Sequence, residues 1–164
     1  MTKPGELHVV RATARRLARI NALIARSKSH WTWPEGYLEK ALPLQLISRA
    51  YLHDNRCFEM LDGGGAPVAF FSLQESHGRL VLDNLWVNPE MIGKGVGRTA
   101  CEYVFELAKR RGWVELWVIP DPPAEGFYLR IGFADSGERI ASRVPGGPIF
   151  SVFHIKLAGR QCTA

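Results

Sequence analysis

At 164 residues, 46% of them hydrophobic and 23% charged, the chain has the size and balance of one globular domain, not of a disordered or fibrous protein. No apolar run nears the roughly 18 residues of a membrane span, and the N-terminus has no apolar signal core. The net charge of +5 is lopsided: residues 1–28 hold seven basic residues (Lys3, Arg11, Arg15, Arg16, Arg19, Arg26 and Lys28) against the single acid Glu6.

In chain order, "LHVVRA" reads as a short strand. Thr13 is placed to cap a helix over "ARRLARINALIARS", where Leu17, Ile20 and Ile24 recur at helical spacing. That helix carries the excess basic charge, which reads either as a solvated face or as a surface for an anionic partner. It is too short for nucleic-acid recognition and lacks a motif for it. Pro34 suits the first turn of a second helix reaching about Leu42, which Pro43 ends. "LISRAYLHD" is a candidate for a further short helical piece, outside the element order below. The texture then changes to the apolar runs "RCFEML", "PVAFFSLQ" and "RLVLDNLWV", separated by Asp62-Gly63-Gly64-Gly65 and "SHG", the signature of strands joined by tight turns. Val96, Ala100, Val104, Leu107 and Ala108 form one face of a helix ending near Gly112. "WVELWVI" is a strand, "PPAEGFYLRI" a short helix stopped at Gly132, and "FADSGERI" and "IFSVFHIKL" two final strands. The order βαα-βββ-α-β-α-ββ predicts an α/β domain with a mostly antiparallel sheet and one crossover. Cys57, Cys101 and Cys162 share no metal-like spacing, and their odd number argues against a disulfide framework, so a cytoplasmic protein with reduced thiols and no metal is expected.

Between "LDNLWV" and the longest patterned helix lies Ile92-Gly93-Lys94-Gly95-Val96-Gly97-Arg98, with glycine at every second position. A P-loop needs GxxxxGK[ST]; "GKGVGRT" is one residue short and has Arg for Lys. A dinucleotide fingerprint needs GxGxxG and an acid at the end of the next strand. Here the third glycine comes one residue early, and Glu115 stands at that strand's beginning. What remains is a strand, a glycine-rich turn and a helix N-terminus. Its N–H groups are backed by the helix dipole and open to a pyrophosphate, with Lys94 and Arg98 beside them. A turn without a ligand would read the same way.

From Leu82 to about Phe133 the chain resembles the acetyl-coenzyme A-dependent N-acetyltransferases of the GNAT superfamily. Their strand ending V-x-P is followed by (Q/R)-x-x-G-x-(G/A) opening a helix. Here Val87-Asn88-Pro89 precedes Ile92-Gly93-Lys94-Gly95-Val96-Gly97, with Ile92 in the place of Gln or Arg. A second family pattern, N-x-x-A-x-x-F-Y-x-x-x-G-F, is met by Asp121, Ala124, Phe127, Tyr128, Gly132 and Phe133, with Asp121 replacing Asn and losing its amide donor. The resemblance implies one domain over residues 3–158 with a short tail at 159–164. It also implies a mixed, mostly antiparallel sheet of about seven strands, splayed between the fourth and fifth, with about four helices.

The resemblance further implies acetyl-CoA as cosubstrate, its pyrophosphate cradled by Ile92, Gly93, Lys94, Gly95, Val96, Gly97 and Arg98. Pantetheine would lie in the splayed gap, bonded to the backbone of Leu85, Trp86 and Val87, with Asp121 nearby. The N–H of Val87 would polarise the thioester carbonyl. Tyr128 is carried over as the donor to the departing thiolate. A phenol near pKa 10 protonating a thiolate near 8.5 is uphill by about 1.5 units, so hydrogen bonding is easier than full transfer. An amine of pKa about 10 must lose a proton before attack, at about 4 kcal/mol near pH 7. Asp83, where the family often has Glu, is the candidate base, acting through water because Asp is short. Strict alternation would put Asp83, Leu85 and Val87 on one strand face and Leu82, Asn84 and Trp86 on the other.

His30, Trp31, Trp33 and Tyr37 stand where the family builds its substrate wall. They could enclose an amine by cation–π contact or simply plug the helices beneath. His53, His77 and His154 read as incidental. The expected acceptor is a primary amine of a small metabolite, with a protein amino group or a non-catalytic acyl-CoA-binding module as alternatives. No nucleic-acid or membrane partner is expected, and monomer and homodimer are both open.

Overall fold

The computed structural model describes residues 5–157; the tail at 159–164 with Cys162, and Lys3, lie outside them. Strand β1 (His8–Arg11) leads through a 3-10 turn (Ala14–Arg16) into α1 (Leu17–Ser29), followed by α2 (Tyr37–Gln45) and α3 (Arg49–Asp54). Strands β2 (Arg56–Leu61), β3 (Pro67–Ser76) and β4 (Arg79–Val87) form a meander. Helix α4 (Val96–Arg110), strand β5 (Glu115–Val118), helix α5 (Glu125–Ile131) and the hairpin of β6 (Ala134–Ala141) and β7 (Ile149–Lys156) complete the order. The strands form one seven-stranded sheet ordered β1-β2-β3-β4-β5-β7-β6, antiparallel except between β4 and β5. This is the sheet expected from the element order, with five α-helices among the described residues instead of about four. None of these helices is long and apolar enough to cross a membrane.

Two helix boundaries differ from expectation. Thr13 occupies the cap position of the 3-10 turn without a side-chain bond, and α1 proper starts at Leu17. Helix α2 begins after Gly36, whose φ of 73° suits glycine, and Pro43 lies inside it. Pro43 lacks only the N–H that would have met the carbonyl of Glu39, a residue exposed to water, so the helix continues to Gln45.

The core lies on both faces of the sheet. On one, Val96, Ala100, Val104 and Ala108 of α4 meet Phe71, Leu82 and Leu116. On the other, Ile20, Leu23 and Ile24 of α1 and Leu52 of α3 meet Cys57, Phe70 and Trp86. Helix α1 has no capping side chain and no acid in its first turn. Packing holds it instead, with about 1.5–3 kcal/mol from burying each of those three apolar side chains. Two basic residues of the N-terminal segment also turn inward. Arg16 Nε lies 2.9 Å from the buried Glu59 carboxylate, an ion pair by proximity more than an aligned hydrogen bond. Lys28 is 2% exposed. Arg11, Arg15, Arg19 and Arg26 remain exposed to solvent.

What positions the site is the parting of β4 and β5. They pair only at Val81–Trp117 and Leu82–Val118. Strand β5 then ends, and Pro120, Pro122 and Pro123 can donate nothing to a ladder. Strand β4 runs on, but its pairing with β3 slips between Ser72–Asn84 and Leu73–Leu82, leaving Asp83 as a bulged residue. A bulge bends and twists its strand, and it falls where β5 stops.

Candidate active site

Two cavities meet at this gap. One, of about 530 Å³, lies between the end of β4, the glycine turn, the start of α4 and helix α5. The other, of about 350 Å³, lies under α2 and the loop joining β6 to β7. Both are lined by Gln45, Leu82, Asp83, Ile119 and Asp121. A molecule in each would touch its neighbour at that junction.

The glycine turn builds one end of the larger cavity. Gly93 and Gly95 have φ of 81° and 83°, and a Cβ at either would enter open space. Gly97 is different: a Cβ there would lie 3.0 Å from the Phe127 ring, so this glycine lets α4 pack on α5. The amides of Val96, Gly97 and Arg98, in the first turn of α4, have no acceptor among the described residues, as helix geometry dictates. Ile92, Gly93, Gly95, Val96, Gly97 and Arg98 line the cavity, whereas Lys94 does not. A concave wall without side chains at Gly93 and Gly95, backed by free N–H groups, fits a pyrophosphate.

On β4 the expected alternation fails at the bulge. Leu82 joins Leu85 and Val87 against the α4 side, while Trp86 packs on the α1 side. Asp83 and Asn84, adjacent in sequence, reach the same neighbours on that second side. The Tyr51 hydroxyl donates to the Asp83 carboxylate and accepts from Asn84 Nδ2 at 3.0 Å. Ser72 Oγ lies 2.8 Å from the same hydroxyl and accepts from Asn84 Nδ2 at 2.9 Å. Trp86 Nε1 and Gln45 Nε2 donate to Asn84 Oδ1 at 2.8 and 3.4 Å. Burial, and next the charge of Asp83, push the Tyr51 phenol far above its usual range, so it stays a donor. Asp83 itself is exposed at the junction. The Asn88 amide donates to the Val68 carbonyl at 2.8 Å. By antiparallel alternation the backbone groups of Trp86 then face β3, and those of Leu85 and Val87 face the gap.

Tyr128 is buried on α5 and lines the larger cavity. Its hydroxyl makes no hydrogen bond among the described residues, while its ring packs against Phe127 and Phe133. Burial, then Cys101 and Asp121, push the phenol well up. It can donate a hydrogen bond but not readily give up its proton.

The residues read as either an enclosure for an amine or a plug over the helices separate. Trp31 lines the larger cavity and Tyr37 the smaller, whereas His30 and Trp33 line neither. Trp33 and Tyr37, joined by Trp86 and not by His30 or Trp31, form a cage that holds the chain's own Lys28. Its Nζ lies 4.4 Å from the Trp33 ring, 5.5 Å from Trp86 and 5.9 Å from Tyr37. It also bonds both oxygens of Asp121 at 3.0 Å. Burial pushes the Asp121 carboxyl up, and Lys28 pulls it back. Lys28, Tyr51, Ser72, Asn84 and Gln45 are site neighbours that sequence reasoning missed. For Lys28 there was a signal, since it extends the Ile20–Ile24 stripe by one helical step. Among the described residues no group of three His, Cys, Asp or Glu could hold a metal.

Comparison with known proteins agrees with this geometry. Residues 21–133 match the Acetyltransferase (GNAT) family. A streptothricin acetyltransferase of Streptomyces lavendulae is 34% identical over 89 residues, 51% of this chain and 47% of that protein. The chain thus spans about half the length of that curated relative. Among solved structures, a GCN5-related N-acetyltransferase of Rhodopseudomonas palustris superposes with a TM-score of 0.77 at 20% identity, covering 95% of this chain and 98% of that one. A PaiA N-acetyltransferase of Thermoplasma acidophilum in complex with coenzyme A gives 0.74 at 15% identity, covering 92% and 99%. The match over most of its length makes this chain a member of the GNAT acetyltransferase family.

Proposed function

We propose that the protein transfers an acetyl group from acetyl-CoA to a primary amine of a small metabolite by direct attack. The observation that carries this reading is the meeting of two cavities at Asp83 through the gap between β4 and β5. Acetyl-CoA, held along residues 92–98 and the free edge of β4, supplies an acetyl thioester at that junction. The N–H of Val87 is the donor best placed for charge developing on the carbonyl oxygen. Tyr128 donates to sulfur as negative charge gathers there. Asp83, fixed by Tyr51, takes the amine's proton directly or through water. Direct attack is favoured because neither described cysteine offers a thiolate: burial pushes the thiols of Cys57 and Cys101 up to about 12. Their free state also fits the cytoplasm. A small acceptor is favoured over a protein because the loop joining β6 to β7 and helix α2 wall the second cavity.

The relative that acetylates streptothricin, by its name, is a precedent for a small-molecule acceptor. Release of free thiol from acetyl-CoA across an amine library tests the proposal. Amine-dependent release is expected, and saturable acetyl-CoA binding with no amine turned over would instead indicate a binding module.

A further inference from the structure

Four charged side chains line the acceptor cavity: Lys28, Asp83, Asp121 and Arg143. Two of them cancel, since Lys28 Nζ sits 3.0 Å from both Asp121 oxygens. The other two have no ionic partner among the described residues. Asp83 meets only neutral donors, the Tyr51 hydroxyl and the Asn84 amide. Arg143 is exposed, and its Nη2 makes one long contact, 3.4 Å to the Leu44 carbonyl. The cavity therefore presents one unneutralised carboxylate and one unneutralised guanidinium.

The two poles also differ in place. Asp83 lines both cavities, and Arg143 lines the acceptor cavity alone. The negative pole is thus at the junction where acetyl transfer would occur, and the positive pole is set back from it. The backbone around Arg143 is anchored. Ser142 N donates to the Pro148 carbonyl at 3.2 Å, Val144 N to Ser142 Oγ at 3.1 Å and Gly147 N to the Val144 carbonyl at 3.0 Å. A Cβ on Gly147 would lie 2.8 Å from the Tyr37 ring, so glycine lets this loop sit directly on α2. Val144 packs with Tyr37 and Ala41 beneath it. Val81, Leu82, Ile119, Ile140 and Phe150 supply apolar wall between the poles, beside the uncharged polar side chains of Gln45 and Ser142.

We propose, resting on the amine-acetyltransferase reading above, that the acceptor is a zwitterion: a small amine that carries a carboxylate on an apolar body. Its ammonium pairs with Asp83 and its carboxylate with Arg143, where a guanidinium can bind two oxygens at once. A diamine would set its second cation against Arg143, and a simple amine would leave that pole unused. In the transfer the ammonium gives one proton to Asp83, directly or through water, the neutral nitrogen forms the C–N bond, and the C–S bond breaks as the nitrogen's second surplus proton passes to water or to the departing sulfur. The electron pair leaves on sulfur, and the carboxylate end stays in place.

The test compares kcat/KM for apolar α-, β- and γ-amino acids with their decarboxylated amines, in the wild type, Arg143→Gln and Arg143→Lys. Acetyl-CoA binding is measured on each protein by calorimetry. The best amino acid should exceed its decarboxylated counterpart by about 10- to 100-fold, the worth of one charge-assisted contact. Arg143→Gln should bring that ratio towards one, chiefly through KM, and Arg143→Lys should keep part of it. Decarboxylated amines that react as well or better would overturn the proposal, as would a ratio unmoved in Arg143→Gln. So would a protein that binds acetyl-CoA yet acetylates none of the amino acids. Failure to bind acetyl-CoA at all would bring down the underlying reading as well.

Discussion

Replacing Lys28 by Met removes the cation from the junction and keeps most of the side chain's length. The lysine is 2% exposed, and its partner Asp121 is 17% exposed. The substitution leaves Asp121 with neither the bond to its two oxygens nor solvent enough to replace it. Breaking one partner of a buried pair costs about 3–5 kcal/mol, which for a domain of this size lowers Tm by about 6–20 °C. The loss should depend on pH in a direction set by Asp121. Burial already pushes that carboxyl up, and Lys28 is what pulls it back. Without Lys28 the folded state holds a proton at Asp121 more tightly than the unfolded state does. Stability therefore rises as pH falls, and the penalty should shrink between about pH 7 and pH 5. Lys28→Met with Asp121→Asn removes both charges and should be more stable than Lys28→Met alone at pH 7. Urea denaturation of the three proteins at both pH values measures this. A Lys28→Met loss under about 1 kcal/mol, or a double variant no better than the single, would refute the view that this pair holds the junction.

Tyr128→Phe should lower kcat by about tenfold or more while acetyl-CoA affinity barely changes, because the hydrogen bond matters as charge reaches sulfur; a kcat within about twofold, with chemistry rate-limiting, would make Tyr128 packing only. Asp83→Asn should lose about 100-fold in kcat/KM near pH 7 and less near pH 9.5, where free amine is abundant; equal losses at both would make Asp83 structural. Burial raises the phenols of Tyr51 and Tyr128 above their usual value of 10.0. Above that pH the unfolded chain sheds protons that the folded chain keeps, so stability should fall with rising pH by up to about 1.4 kcal/mol per unit for each phenol. Tyr51→Phe should lessen this alkaline slope, and an identical slope in denaturant titrations from pH 10 upward would contradict the burial argument.

The strands were legible because apolar runs bounded by glycine turns permit little else. A mostly antiparallel sheet with one crossover followed from the element order around Gly93–Gly97, whereas the insertion of β7 between β5 and β6 did not. The bulge at Asp83 showed in the sequence only as two adjacent polar residues, Asp83 and Asn84, inside the apolar run "RLVLDNLWV"; the slip itself arises from what they find across the sheet, at Tyr51 and Ser72. Pro43 misled as a helix end because its missing bond falls on an exposed turn. The occupant of the aromatic cage was hidden by counting Lys28 with the surface charges, though its place on the buried stripe called for an inward partner. That partner, Asp121, lies 93 residues away, and no local pattern joins the two. Gly97, grouped with Gly93 and Gly95 as a phosphate contact, has a packing reason of its own in Phe127.

The central claim is that acetyl-CoA lies along the first turn of α4 and the free edge of β4. Amide 1H–15N spectra recorded as acetyl-CoA is titrated in test it residue by residue. The account predicts saturable shifts at Gly95, Val96, Gly97 and Arg98, whose N–H groups meet the pyrophosphate, and at Leu85 and Val87, whose backbone faces the gap. Saturable binding that moves amides elsewhere and leaves residues 95–98 unshifted would contradict it.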